Sequence, residues 1–162
     1  MNDQSMKRGG LALVFEVLLA AWMLIGCRSG PSLVQVDVSE PGWTMVEGQA
    51  VWRTRSGAPE IVAEFQGSFH SDGRRWLEVS KAGLPFMTVR ADSLSWEIRT
   101  SMRKQRLAGR GAPTHRSGWL QLSTCLAGQR PARQWAWVRR ADGGWRLSNA
   151  STGEQIEGVT TP

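Results

Sequence analysis

The chain has 162 residues, a net charge of +6 and nine tryptophans but no tyrosine. Removing the first 26 residues leaves this charge unchanged and leaves enough chain for one domain with one hydrophobic core. With two histidines, His70 and His115, and no spacing typical of a nucleophile or metal motif, the composition argues against an enzyme, a metal site and a cofactor.

The N-terminus has the pattern of an export signal. Lys7 and Arg8 precede an apolar run from Leu11 to Gly26, and the run ends at Leu24-Ile25-Gly26-Cys27. This ending resembles the bacterial lipobox, in which cleavage precedes the cysteine and the thiol receives a diacylglycerol. The alternative is an uncleaved transmembrane helix, but sixteen residues that include Glu16 fall short of the roughly 20 apolar residues a span requires. We therefore predict a signal peptide over 1–26 and lipidation of Cys27.

A lipidated Cys27 makes membrane lipid the first expected partner, because two or more acyl chains give stable anchoring. Arg28 follows it, and resemblance to the sorting rule of enteric bacteria implies the periplasmic face of the outer membrane. Nucleic acid is not expected for an exported protein, and a monomer is expected. Cys125 then has no cysteine to pair with, so a buried apolar role is expected for it.

Residues 27–42 contain several Gly, Pro and Ser residues and are interpreted as a tether, with one edge strand at Leu33–Val38. From residue 43 to 162, apolar and polar residues alternate in a series of short segments separated by turn residues, a pattern typical of half-buried strands. The predicted strands are 46–55, 60–70, 76–81, 86–90, 94–100, 134–139, 145–148 and 155–159.

One segment has helical spacing. Trp119, Leu122 and Leu126 lie on one side of a helix predicted over Gly118–Ala127, and Gly128 is suited to end it. The fold class is therefore mainly β. We expect a single open antiparallel half-barrel, residues 43–162, with one or two short helices on its concave side, because a twisted sheet must cover its apolar face.

The acids that could supply a carboxylate pair alternate with apolar residues, which places them on solvent-facing sides of strands; they are Glu60, Glu64, Glu78 and Glu97. The tryptophans are more informative, because indole rings line both cores and apolar pockets. One interpretation is ordinary core filling. The other is a cavity for acyl chains, with the candidate lining Trp52, Phe65, Trp76, Trp96, Trp119 and Leu122.

Between Ile98 and Trp119 the chain has no acid but six basic residues, including Arg103, Lys104 and Arg106. These three are candidates for membrane contact in a loop that faces anionic head groups. The alternative is an ordinary solvated connection, because arginine is abundant throughout the chain.

From Gly48 to Val159 the chain resembles the LolA/LolB family of lipoprotein carriers and outer-membrane receptors. The resemblance rests on Gly48-Gln49-Ala50-Val51-Trp52, Gly83-Leu84-Pro85-Phe86, Trp119-Leu120 and Asp142-Gly143-Gly144-Trp145. It implies an incomplete antiparallel barrel around an apolar cavity that accepts lipoprotein acyl chains, and it implies membrane contact by Leu84. The chain departs from the family in being shorter and in having fewer helical segments, which implies a smaller cavity or none.

Three hypotheses follow. The first is a non-enzymatic lipoprotein that binds acyl chains or a lipidated partner. The second is an envelope structural or assembly lipoprotein that binds a protein partner without a lipid cavity. The third is an enzyme acting on envelope glycans or lipids, which requires paired carboxylates facing inward.

Overall fold

The computed structural model describes residues 36–101, 104–111 and 117–161. Within these ranges the chain forms nine strands and one helix, mainly β structure. In chain order they are β1 (Trp43–Arg53), β2 (Glu60–His70), β3 (Arg75–Lys81), β4 (Leu84–Ala91), β5 (Ser95–Thr100), β6 (Gln105–Arg110), α1 (Gly118–Leu126), β7 (Trp135–Arg139), β8 (Gly144–Asn149) and β9 (Gln155–Thr161).

All nine described strands belong to one open antiparallel sheet with the order β6-β5-β4-β3-β2-β1-β9-β8-β7. Strands β1 to β6 follow one another as a meander, and β7 to β9 do the same on the other side. The join lies in the middle of the sheet, where β1 pairs with β9 from Glu47↔Thr161 to Arg53↔Gln155. Because α1 connects β6 to β7, it links the two edge strands of the sheet.

Alternation along the strands explains which side chains are buried. In β3, Leu77 and Val79 are fully buried, while Trp76, Glu78 and Ser80, which alternate with them, are half-buried. We call the side that carries Leu77 and Val79 the inner face and the opposite side the outer face. A period of two is what a strand with one covered face requires. The structure has a strand at each of the eight positions predicted from alternation, which confirms that prediction.

The sequence does not predict strand β6, and its six residues fall in the segment interpreted as a basic loop. The structure corrects this: Gln105–Arg110 pairs with β5 over its whole length, from Ser95↔Arg110 to Thr100↔Gln105. Five of its residues are exposed and Gly109 is half-buried, because β6 lies at the edge of the sheet. The strand therefore lacks the apolar alternation that marks its neighbours.

The tether prediction is only partly described. Residues 36–38, the described end of the predicted edge strand Leu33–Val38, form no strand. The predicted signal peptide, residues 1–26, lies outside the described residues, as do Cys27 and the first part of the predicted tether. In the part of the chain that the structure describes, no helix has the length and apolar character needed to cross a membrane.

Two glycines allow β1 and β9 to approach closely at the middle of the sheet. A Cβ atom on Gly48 would lie 2.1 Å from the carbonyl oxygen of Val159, and one on Gly158 would lie 2.1 Å from that of Gln49. Real Cβ atoms do not approach backbone oxygens so closely. A side chain at either position would therefore push these two strands apart.

Helix α1 ends as its sequence predicts. Gly128 adopts a left-handed φ of +76°, and its N–H donates to the carbonyl oxygen of Cys125, while the N–H of Gln129 donates to that of Thr124. Glycine accepts this backbone conformation without strain, so it closes the helix in the way typical of C-terminal caps.

Candidate functional site

The inner face of the sheet and α1 together form the apolar centre of the molecule. Trp119, Leu120 and Leu122 of α1 are at most 1% exposed. They belong to one cluster with buried residues from eight strands, among them Phe65, Leu77, Val79, Val89, Ile98, Leu147 and Ile156. The helix lies mainly against β3, β4 and β8. The structure therefore places α1 over the apolar face that the sequence predicted would need a cover.

A buried carboxylate holds the N-terminal end of α1. The Glu154 side chain, in the turn before β9, accepts hydrogen bonds from Trp52 Nε1 at 3.0 Å and from the backbone N–H of Gly118 at 3.3 Å. The residue before the helix, Ser117, makes no capping bond with its own side chain. Because the first N–H groups of a helix have no partner within it and carry partial positive charge, Glu154 supplies an acceptor there, and its ionised form interacts favourably with that charge.

Burial raises the pKa of the Glu154 carboxyl, while its hydrogen bonds with Trp52 and Gly118 act in the opposite direction. Trp52 also packs edge-on against Trp119, with ring centroids 5.7 Å apart. The contact between sheet and helix at this end therefore combines a hydrogen-bonded acid with an aromatic pair.

A buried arginine holds the C-terminal half of α1. Arg75 lies on the inner face of β3, and its Nη1 donates to Thr124 Oγ1 and to Gln129 Oε1, both at 3.0 Å. The Arg75 residue is 5% exposed, and burial lowers the pKa of its guanidinium. Its partners at these distances are neutral oxygen atoms. Among the described residues the guanidinium thus fixes the helix to the sheet through neutral acceptors and not through an ion pair.

A third polar contact fixes the segment after the helix. Gln121 Oε1 accepts a hydrogen bond from the backbone N–H of Ala132 at 2.7 Å. Trp145 on β8 packs edge-on against Phe65 and stacks with Trp137, with centroid distances of 5.8 and 5.5 Å. The hydrogen bond thus holds the chain leaving α1 against the helix, and the ring contacts join β8 to β2 and β7.

The structure brings most of the predicted lining residues to one place. Phe65, Trp96, Trp119 and Leu122 are buried in the central cluster, and Trp52 packs against it. Trp76 is separated from them, because it alternates with Leu77 and Val79 and lies on the outer face of β3.

Three of the four predicted membrane-contact residues are described, and they share one end of the sheet. Leu84, which is 73% exposed, begins β4, and Lys104 and Arg106 lie at the start of β6. The starts of β4 and β6 lie at the same end of the sheet because both strands pair with the end of β5, at Met87↔Thr100 and Thr100↔Gln105. Arg103 lies outside the described residues.

The four acids expected on solvent faces do not behave alike. Glu60 and Glu64 are exposed and Glu78 is half-buried, but Glu97 is 1% exposed. Glu97 lies on the outer face as its alternation predicts, and ion pairs with Arg99 and Arg106 explain its burial. The sequence expectation of a solvated carboxylate at this position was wrong, because two neighbouring guanidinium groups cover it.

Two other reactive groups among the described residues, His70 and Cys125, have structural surroundings that account for them. His70 Nδ1 lies 2.8 Å from an Asp72 carboxylate oxygen, and its Nε2 lies 3.1 Å from the carbonyl oxygen of Pro41. Cys125 is buried, and burial raises the pKa of its thiol to about 12, so the thiol stays protonated at neutral pH. Among the described residues, no group of three or more His, Cys, Asp and Glu side chains is placed to hold a metal ion.

Glu154 and Arg75 were not among the predicted site residues. The sequence could have identified Arg75 as a buried residue, because it lies two residues before Leu77 and alternation therefore places it on the apolar face of β3. Glu154 lies in a turn, and its position beneath α1 depends on the pairing of β9 with β8.

No family model and no curated protein sequence matches this chain.

Proposed function

We propose that this protein is a non-enzymatic lipoprotein of the bacterial cell envelope, anchored through acylated Cys27 at the periplasmic face of the outer membrane. In this proposal the open sheet is a half-barrel of the LolA/LolB kind with α1 on its concave side. The ligand is the acyl chain of a lipid or of a lipidated protein, and it is received between α1 and the sheet.

The observation that carries the proposal is the way in which the inner face is covered. Among the described residues, the nine-residue helix α1 covers this face. Hydrogen bonds from Glu154 and Arg75 hold α1 near its two ends. Among the described residues the cover is incomplete toward the β6 edge, because Leu107 pairs with the inward-facing Ile98 but is 60% exposed. In this proposal an apolar chain reaches the inner face from this edge.

Approximate burial free energies favour a state in which an acyl chain replaces side chains of α1 against the inner face. Burying a large apolar side chain contributes about 1.5–3 kcal/mol, so releasing Trp119, Leu120 and Leu122 costs on the order of 5–9 kcal/mol. An acyl chain of about 16 carbons contributes on the order of 11 kcal/mol at 0.8 kcal/mol per methylene. In this proposal the acyl chain, transferred from water, offsets the loss of these three apolar contacts.

The test is a tryptophan-fluorescence titration of the full chain carrying Cys27→Ala, which removes its own acylation. An acylated peptide should bind saturably and its unacylated counterpart should not. Leu107→Arg, at the proposed entrance, should weaken this binding, whereas the control Leu94→Arg should not, since Leu94 is 75% exposed in the β4–β5 turn. Equal binding of both peptides, or an equal effect of both substitutions, would contradict the proposal.

The anchor has a separate test. Labelled palmitate should enter the wild-type protein and not the Cys27→Ala variant, and the wild-type protein should fractionate with membranes. Incorporation of label into both proteins would refute lipidation at Cys27 while leaving the acyl-binding proposal to its own titration.

A second candidate is an envelope lipoprotein that binds a protein partner through the sheet and holds no lipid. The filled interior favours it, because Leu120 and Leu122 are fully buried between α1 and the sheet. Native mass spectrometry of the purified chain distinguishes the two candidates. Co-purified lipid supports the receptor, whereas an empty chain indifferent to acylation, with a protein partner captured by crosslinking in cells, supports the scaffold.

A further inference from the structure

We infer that the outer face of β4–β6 is a docking surface for an anionic phospholipid bilayer. The strand register places four arginines on this face: Arg90 on β4, Arg99 on β5, and Arg106 and Arg110 on β6. The inference rests on the membrane location proposed through Cys27 and is independent of whether the inner face binds acyl chains.

The register fixes the layout of this surface. Arg99 and Arg106 are directly opposite each other, Glu97 pairs with Arg90 on one side and Ala108 on the other, and Arg110 pairs with Ser95. With strands about 4.8 Å apart and about 3.4 Å per residue, the arginines cover roughly 10 Å across the strands and 14 Å along them. They form one continuous surface instead of isolated charges.

The single acid within this surface does not neutralise it. Glu97 is 1% exposed and pairs with Arg99 and Arg106, whose side chains remain 58% and 49% exposed. One buried negative charge therefore positions two exposed guanidinium groups. Arg90 and Arg110 form no ion pair with a described carboxylate, so their charges are also available to a partner.

The outer face of β1–β3 has the opposite character, which gives the molecule an orientation. On β1, β2 and β3 it carries the acids Glu47, Glu60, Glu64 and Glu78. There the basic Arg53 is paired with Glu60, and on β8 Arg146 is paired with Glu157. An anionic bilayer would attract the β4–β6 side and repel the β1–β3 side.

The anchor makes this weak attraction effective. Fifteen residues separate Cys27 from Trp43 at the start of β1, so the tether reaches at most about 50 Å and keeps the domain near the bilayer. Arginine near an anionic surface is attracted to lipid phosphate groups within about one Debye length. Leu84 and Lys104 are exposed and lie at the end of the sheet nearest Arg99 and Arg106.

The experiment is co-sedimentation of the full chain carrying Cys27→Ala with phosphatidylcholine vesicles, with and without phosphatidylglycerol. Arg90→Gln with Arg110→Gln should weaken binding to the anionic vesicles about 25-fold, since each arginine near such a surface contributes about fivefold. Arg90→Lys with Arg110→Lys should retain binding. The matched control, Arg55→Gln with Arg133→Gln, makes the same change in net charge on exposed loops and should change binding less than twofold.

Raising the salt to about 1 M should abolish the difference between the variants, because the Debye length falls to about 3 Å. Equal weakening by the control pair would overturn the inference, since net charge and not this face would then drive binding. Equal binding to vesicles without phosphatidylglycerol, or binding to lipopolysaccharide alone, would overturn it as well. The fluorescence titration with acylated peptide is independent of all these outcomes.

Discussion

On the inner face, the charged side chains Arg75 and Glu154 are buried, and their bonds to Thr124 and Gly118 hold α1 in place. On the outer face, Arg99 and Arg106 are about half exposed even though both pair with Glu97. One sheet thus uses polar groups in two ways. Buried charges fix the cover of the apolar face, and exposed charges remain accessible to a partner. Substitutions should therefore change stability on the inner face and binding on the outer face.

The largest expected difference concerns two valines on neighbouring strands. Val79→Ala, on the inner face and 0% exposed, should destabilise the protein by about 2–3 kcal/mol, because it removes buried methyl groups and leaves a cavity. Val62→Ala, on the outer face and 63% exposed, should change the free energy of unfolding by less than about 0.5 kcal/mol. Urea denaturation of both variants measures this, and equal losses would break the distinction between the faces.

The approach of β1 to β9 should give the next largest effect. Gly158→Ala places a Cβ atom against the backbone of Gln49, so the strands must separate, and we expect a loss of about 2 kcal/mol. Gly144→Ala is the control, because its Cβ meets first the flexible end of the Asp142 side chain, at 3.0 Å. Thermal unfolding followed by circular dichroism should show a lower midpoint for the first variant. A similar midpoint for both would contradict the close approach.

The acid beneath α1 should have a smaller, pH-dependent effect. Glu154→Ala should cost about 1–2 kcal/mol, because the Trp52 indole N–H loses its acceptor. Glu154→Gln keeps an acceptor and removes the ionisation. Since the folded-state pKa of Glu154 is raised, ionisation of this group lowers stability as the pH rises above its unfolded value near 4.5. Relative to wild type, the Gln variant should therefore gain stability over this range and then level off.

Denaturation midpoints of wild type and Glu154→Gln, measured between about pH 4 and pH 8, test whether ionisation of Glu154 lowers or raises the stability of the folded state. A Gln variant that lost stability relative to wild type with rising pH would show that the carboxylate is favoured in the folded state. The charge at the start of α1 would then outweigh burial.

The smallest effect is expected for an ion pair at the surface. Arg53→Gln removes the pair with Glu60 on the outer face, where both side chains are partly exposed. Such pairs contribute about 0–1 kcal/mol and are screened by salt. A loss below about 0.5 kcal/mol that disappears at high salt is expected in urea denaturation, whereas a loss comparable to that of Val79→Ala would contradict the comparison of the two faces.

Alternation of apolar and polar residues was sufficient to predict eight strands, and the spacing of Trp119, Leu122 and Leu126 was sufficient for α1. Both patterns are strong because one side of each element is buried. The same reasoning failed for β6, since an edge strand with exposed side chains is held by backbone pairing to β5 and needs no apolar alternation. It also failed to predict that Glu97 is buried, because alternation predicts the face on which a residue lies but not which neighbouring side chains cover it.

The sequence by itself determined the period of each element, the end of α1 at Gly128 and the shared inner face of the apolar residues, because these depend on local backbone geometry and on burial. Only the tertiary structure decided that β9 pairs with β1, that Glu154 and Arg75 meet α1, and that four arginines from three strands form one surface. Each of these joins residues distant in the chain, and their contact depends on the order and register of the strands, which alternation alone does not specify.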